Sequence, residues 1–193
     1  MNPLIILASS SSYRAELLRR LDLSFTQERP DVDETALSTE SPRETALRLA
    51  ETKAKRVAVR HPGAIVIGSD QLASLDGEAL GKPGTLEKAR QQLARLSGKV
   101  VTFHTAVCVI DTRNAHCHVH EIPCEVAYRV LTPHQIDSYL SREPALDCAG
   151  AAKIEALGIS LTRYVRCDDP TALIGLPLIT VIDLLSQCGV AIP

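Results

Sequence analysis

Residues 7 to 18 read "LASSSSYRAELL". The apolar lead-in, Leu4 to Ala8, has the composition of a short buried strand, and Ala15, Leu17, Leu18 and Leu21 then recur at helical spacing. A strand, a serine turn and an amphipathic helix thus follow one another directly. A helix start presents unpaired backbone N–H groups and the positive end of the helix dipole, and serine hydroxyls add further donors. Arg14, one turn into the helix, can clamp the same anion with its planar fork. Taken alone, the stretch is more simply accounted for by ordinary capping of the helix by serine, with a solvated arginine. Residues elsewhere in the chain have to decide.

The chain has 193 residues, 45% of them hydrophobic, enough for one domain with a sizeable core or for two tightly packed lobes. Its 21 Lys and Arg against 23 Asp and Glu leave a net charge of -2, without the basic excess that stable nucleic-acid binding needs. Phosphate chemistry must then be local. With no Trp, four Tyr and two Phe, a stacking platform for single strands is disfavoured, although one aromatic can still stack on one base. The six cysteines show no zinc-ligand spacing and read as reduced, cytosolic thiols. The first apolar run is too short for a signal sequence or a membrane span, so a cytoplasmic protein without a membrane partner is expected.

Glu28 to Ser41, "ERPDVDETALSTES", reads as a polar loop that bunches Asp31, Asp33 and Glu34. Ser41 as N-cap, Pro42 at the first helical position and Glu44 closing a capping box then start a helix. Leu47, Ala50, Ala54 and Val57 mark its inner face, and it carries Arg48, Lys53 and Lys55. Ala64 to Gly68, "AIVIG", is a buried strand that delivers Ser69 and Asp70 at its C-terminal end. A turn at Asp76-Gly77 and "LGKPGT" lead into a helix from Thr85 to Leu96 with Leu86, Ala89, Leu93 and Leu96 inward. Val100 to Ile110 and Cys117 to Leu131 form an antiparallel hairpin, after which Thr132, Pro133 and Gln135 cap another helix. The glycine-punctuated "CAGAAKIEALGISL", the loop "RCDDP" and an apolar helix from about Leu176 to Ser186 complete the chain. No repeat or linker divides it, so residues 1–193 read as one domain.

Asp70 stands where the ligands of α/β sheets collect and where a general base or metal ligand belongs. Carboxylates in a loop, as in Asp31, Asp33 and Glu34, suit a hard divalent cation that takes phosphate oxygens as further ligands. Lys53 and Lys82, the latter in "GKP", gain interest from this company. Together these are the parts for metal-assisted phosphoryl chemistry. His116, His118 and His120 alternate along a strand and share a face, the pattern of a wet hairpin end. No GxSxG elbow supports a serine hydrolase.

"LASSSSYR", "VDE", "GSDQ", "GKP" and "CAGAAKIEALG" occur in an order and spacing that resembles the Maf-like nucleoside triphosphate pyrophosphatases over essentially the whole chain. The resemblance implies an α/β fold with a mixed twisted sheet in two lobes around a deep cleft, related to the inosine-triphosphate pyrophosphatases. It also implies a homodimer, a divalent cation (Mg2+ or Mn2+), and cleavage between the α- and β-phosphates of a nucleoside triphosphate. By position, Ser9, Ser11, Arg14, Lys53 and Lys82 match the substrate-binding residues, Glu34 and Asp70 the metal ligands, and Asp70 the proton acceptor. Ser12 departs from the usual proline.

Tyr13, Gln71 and Glu155 match the positions that separate the branches of that family, and together with Lys153 they resemble the 7-methyl-GTP branch. A cationic 7-methylguanine favours an aromatic face, which Tyr13 offers, and a carboxylate at its N1 and N2 edge, which Glu155 offers. Ala151, Ala152 and Ala156 are smaller than that branch usually has. The alternatives are a dTTP/UTP pyrophosphatase of the same family and a nucleotide-binding regulator of cell division without turnover.

Overall fold

Ile5–Ala8 (β1) is buried along its whole length and pairs in parallel with Phe25–Glu28 (β2) on one side. On the other side it pairs in parallel with the first residues of Ile65–Leu75 (β3). The computed structural model describes residues 3–114 and 116–192, and these form a seven-stranded mixed sheet. From β3 onward the pairing is antiparallel, to Glu78–Leu80 (β4) on a short hairpin and to the long Val100–Asp111 (β5). His116–Tyr128 (β6) and Thr162–Cys167 (β7) continue the sheet.

Five helices cover it. Ser12–Arg19 (α1) and Leu178–Gln187 (α5) pack on one face of β1, β3 and β5 through Leu17, Leu18, Val181, Leu184 and Leu185. Pro42–Ala58 (α2) covers the opposite face through Ala46, Ala50, Ala54 and Val57. Leu86–Leu96 (α3) and Pro133–Arg142 (α4) build a second core against the far halves of β3, β5 and β6. The expected mixed α/β sheet in two lobes is therefore observed, with the long strands β3 and β5 running through both.

Local sequence rules account for most helix starts. Ser41 and Thr132 each make a complete capping box with a proline just inside the helix, and the side chain of Thr85 caps α3. At the β3–β4 turn Asp76 and Gly77 both have positive φ, 53° and 84°, as a two-residue hairpin requires.

Several expectations are corrected. The strand expected at Ala64 to Gly68 runs on to Leu75, because its second half finds an antiparallel partner in β5. Asp70 is thus mid-strand. It still stands at an opening, since the parallel neighbour β1 ends at Ala8, opposite Gly68. Leu86 is 52% exposed rather than inward, being the first residue of α3, before the helix meets the core. On α2, Leu47 is only half-buried while Ala46 and Leu49 are fully covered. Strands β2 and β4 had no distinct sequence signal. Cys124 and Cys167 are not free thiols: the pairing of β6 with β7 sets them directly opposite each other, and they are joined as a disulfide across 43 residues of sequence. Cys108, Cys117, Cys148 and Cys188 are free.

Gly68 sets the distance between sheet and helix. A Cβ on it would lie 2.3 Å from the Ala50 carbonyl oxygen and 2.7 Å from the Ala54 nitrogen, both backbone atoms that cannot swing aside. Gly68→Ala is therefore expected to lower stability by roughly 3 kcal/mol or more, at the top of the overpacking range. A urea titration should show a reduced midpoint at unchanged slope.

Candidate active site

Where β1 ends, the sheet opens into a cleft of about 770 Å³ between the two lobes. All ten residues singled out from the sequence line it: Ser9, Ser11, Tyr13, Arg14, Glu34, Lys53, Asp70, Gln71, Lys82 and Glu155. Three structural levels bring them together.

The serine turn comes first. Ser11 is the N-cap of α1, its Oγ accepting from the Arg14 backbone N–H at 3.3 Å. Ser9 Oγ accepts from the Ser11 N–H at 3.1 Å and lies 3.5 Å from an Arg14 Nη atom. Capping and anion binding are thus compatible here, because each hydroxyl uses its oxygen internally and keeps its proton to donate. Gln27, on the unanticipated strand β2, braces the turn by donating to the Ser9 and Ser11 carbonyls at 2.8 and 3.1 Å. Arg14 Nε donates to the Gly175 carbonyl at 2.8 Å, which aims the rest of the guanidinium toward the cleft. Burial lowers the Arg14 pKa, against the opposing pull of the Asp70 and Glu34 charges.

The second level is a buried ion triad. Lys53, only 4% exposed, projects from the apolar face of α2 and sets its Nζ 2.5 Å from Asp70 Oδ1 and 2.7 Å from Glu34 Oε1. A charge so placed needs partners on every side, and the two carboxylates supply them. Partial burial works to raise the Glu34 pKa, but the hydrogen bond from Lys53 and the charges of Lys53, Arg14 and Lys82 hold it below the ordinary carboxylate range. The loop cluster is thereby sorted. Glu34 enters the triad, Asp31 pairs with Arg29 at 2.9 Å, and Asp33 accepts from the Thr35 N–H and hydroxyl in a local turn.

Third, Tyr13 at the start of α1 meets a side chain of the second lobe. Lys153 Nζ sits 5.6 Å from the centre of the Tyr13 ring, a cation over an aromatic face. Glu155 is exposed and lines the same cleft. Gln71 lines the cleft, but its amide nitrogen is engaged 2.9 Å from Thr105 Oγ1 and from the Ala172 carbonyl. The histidines at 116, 118 and 120 lie on β6, away from the cleft.

Positioning residues were harder to anticipate. Arg48 forms a two-pronged pair with Glu40 and donates to the Thr35 carbonyl at 3.0 Å, tying the loop that carries Glu34 to α2. The signal for Lys53 was present: it falls in the stripe Ala46, Ala50, Lys53, Ala54, Val57, where a lysine interrupts an inner face.

Two carboxylates converging on one ammonium, the basic side chains of Arg14 and Lys82 in the same cleft and a helix start are together suited to a polyanion. The chain belongs to the Maf family, whose model, described as Maf-like protein, matches residues 4–188. It is 55% identical over 193 residues to a protein of Xanthomonas campestris pv. campestris (strain 8004) named 7-methyl-GTP pyrophosphatase, covering 100% of both chains. A protein of the same name from Bordetella pertussis is 53% identical over 187 residues, 97% of this chain and 93% of that one. One from Cupriavidus pinatubonensis is 50% identical over 97% of this chain and 94% of its own. The structure of the Staphylococcus aureus Ham1 protein overlaps 64% of this chain and 71% of its own with a TM-score of 0.44 and 16% identity.

The strap on the Glu34 loop can be read by titration. Hydrogen bonding from Arg48 is the chief cause that brings the Glu40 pKa down to about 2 from 4.5. Its contribution to holding the loop is full above 4.5 and is lost as the pH falls to about 2. In Arg48→Met, carboxyl NMR should show Glu40 returning toward 4.5, with faster amide exchange at Leu37, which donates to Glu40.

Proposed function

We propose that this chain hydrolyses 7-methyl-GTP to 7-methyl-GMP and pyrophosphate. The observation that carries the reading is the pairing, in one cleft, of the Lys53–Asp70–Glu34 triad with the Tyr13 ring, whose face carries the Lys153 ammonium. An aromatic face suited to one cation suits a cationic 7-methylguanine ring, and Glu155 in the same cleft can accept from its N1 and N2 donors. The full-length relatives that carry this name support the choice.

The chemistry follows from charge and reach. The triphosphate lies along Ser9, Ser11 and Arg14, with Lys82 in the same cleft to reach it. Hydroxyl donors, the guanidinium and the helix start offset its charge. Lys53 holds Asp70 by Oδ1 alone, and Oδ2 has no hydrogen-bond partner among the described residues. That oxygen orients a water, and takes its proton, for attack on the α-phosphorus in line with the departing pyrophosphate.

A divalent cation, Mg2+ or Mn2+, fits this donor set. Glu34 and Asp70 converge as two hard oxygen ligands, which suffices for an ion that completes its shell with phosphate oxygens and water. Among the described residues no group of three or more His, Cys, Asp or Glu forms a closed cage. When bound, the ion would neutralise phosphate charge and orient the anhydride. Among the described residues no helix is long and apolar enough to cross a membrane. The reading is completed by a cytoplasmic homodimer that acts as a single domain and does not bind nucleic acid stably.

A panel of 7-methyl-GTP, GTP, dTTP and UTP, assayed for pyrophosphate release with Mg2+ and Mn2+, tests the assignment; 7-methyl-GTP should have the highest kcat/KM. Preference for dTTP and UTP would move the chain to the pyrimidine reading. Binding of nucleotides without any release would favour a regulator. Asp70→Asn should lower kcat on the order of 10²–10⁴-fold with an unchanged circular dichroism spectrum, and near-normal turnover would remove Asp70 from the role of base. Glu155→Gln should narrow the ratio of 7-methyl-GTP to GTP turnover.

A further inference from the structure

Gln71 and Thr105 stand side by side on β3 and β5 and point away from Asp70, to the α5 face of the sheet. Both are spent on the backbone of one turn. Thr105, completely buried, donates from Oγ1 to the Ala172 carbonyl at 2.8 Å and accepts from Gln71 Nε2 at 2.9 Å. Gln71 Nε2 lies 2.9 Å from the Ala172 carbonyl and 3.1 Å from the Leu173 carbonyl. Two carbonyl oxygens facing one amide require the nitrogen there, so the donors of Gln71 are used up and only Oε1 is left.

The same turn ends on Gly175, whose φ of +122° is a backbone conformation that side-chain-bearing residues rarely adopt. Its carbonyl accepts from Ser69 Oγ at 2.9 Å and from Arg14 Nε at 2.8 Å. Ser69 is completely buried. Three polar side chains from the two central strands thus fix a short stretch of backbone, and the last carbonyl of that stretch holds Arg14.

We propose that Ser69, Gln71, Thr105 and the 172–175 turn form a strut that positions Arg14 against the triphosphate, and that Gln71 is a positioning residue rather than a reader of the base. Nε is anchored, and the Nη groups face Ser9 and the cleft. Without the anchor the guanidinium is free to rotate about its long side chain and loses the fixed fork that recognises phosphate. A neutral, fully buried threonine that does not line the cleft acts on charge recognition only through this chain of contacts.

The inference rests on the nucleotide reading for the identity of the anion, and the test separates the two by taking the ligand apart. Inorganic tripolyphosphate carries the phosphates without a base, and 7-methylguanosine carries the base without phosphates. Calorimetric titration of the full chain with each, together with kcat/KM for 7-methyl-GTP, GTP and UTP, should be run on Thr105→Val, Gln71→Met and the conservative Thr105→Ser. Thr105→Val and Gln71→Met are expected to bind tripolyphosphate about tenfold more weakly and to keep their affinity for 7-methylguanosine. Their kcat/KM should fall by one common factor on all three nucleotides, and Thr105→Ser should restore both quantities.

Unchanged tripolyphosphate affinity in Thr105→Val and Gln71→Met overturns the strut. A Gln71→Met variant with altered nucleotide ratios and normal tripolyphosphate binding makes Gln71 a base reader instead. If the unaltered chain binds tripolyphosphate but prefers another nucleotide, the strut stands and the base assignment fails. If it binds none, both the phosphate role of Arg14 and the strut are removed. Should Thr105→Val fail to fold, the half-exposed Gln71→Met carries the decision.

Discussion

The approach of α2 to β3 at Gly68 is the constraint on which the rest of the structure depends. Backbone meets backbone there with no room for a Cβ, and Ala46, Ala50 and Ala54 continue the close contact along the helix. At that spacing a lysine from the helix reaches a carboxylate two residues further along the strand. A wider gap would leave Lys53 buried without Asp70, and an unpaired buried ammonium is among the costlier defects a fold can carry. Packing of the smallest side chains in the chain therefore decides whether its most charged locus exists.

From that contact the cleft follows. β1 stops at Ala8, β3 continues in antiparallel pairing with β5, and the gap beyond the end of β1 is where the two lobes part. Both faces of β3 contribute to it. Asp70 looks toward α2 and Lys53, while Ser69 and Gln71 look toward the turn that holds Arg14. The buried ion triad and the anchor of Arg14 thus lie on opposite faces of one strand and meet only at its open edge. The ammonium between Glu34 and Asp70 keeps two carboxylates close together, as the proposed binding of a polyanion in the same cleft requires.

Much of this was legible in sequence where the rule is local. Ser41-Pro42-Glu44 and Thr132-Pro133-Gln135 state their helix starts within four residues, and Asp76-Gly77 states its turn. Ser9, Ser11 and Arg14 could be grouped because a strand-to-helix turn holds them within a few residues of one another. The misreadings have a common cause. The strand signal of β3 stops at Gly68 because its polar second half is stabilised by β5, a partner 34 residues away at Gln71 and Thr105. Cys124 and Cys167 carry no pairing signal along the chain, since only the β6–β7 register sets them opposite. The place of Lys53 in an inner stripe is visible along the chain, but the two carboxylates that allow it to be buried are brought to it only by the fold.

The sequence by itself determined the elements, their caps, and which residue types were available for phosphate and base, since these depend on spacing along the chain and on side-chain chemistry. Only the tertiary structure decided what those residues touch. It paired Glu34 with Lys53, left Asp31 on Arg29, turned the amide of Gln71 onto backbone carbonyls, and hung Arg14 on Gly175, 161 residues away. The physical reason is range. Capping and turn formation are settled within one helical turn, whereas a buried charge or amide is satisfied by whichever group the folded chain brings to it.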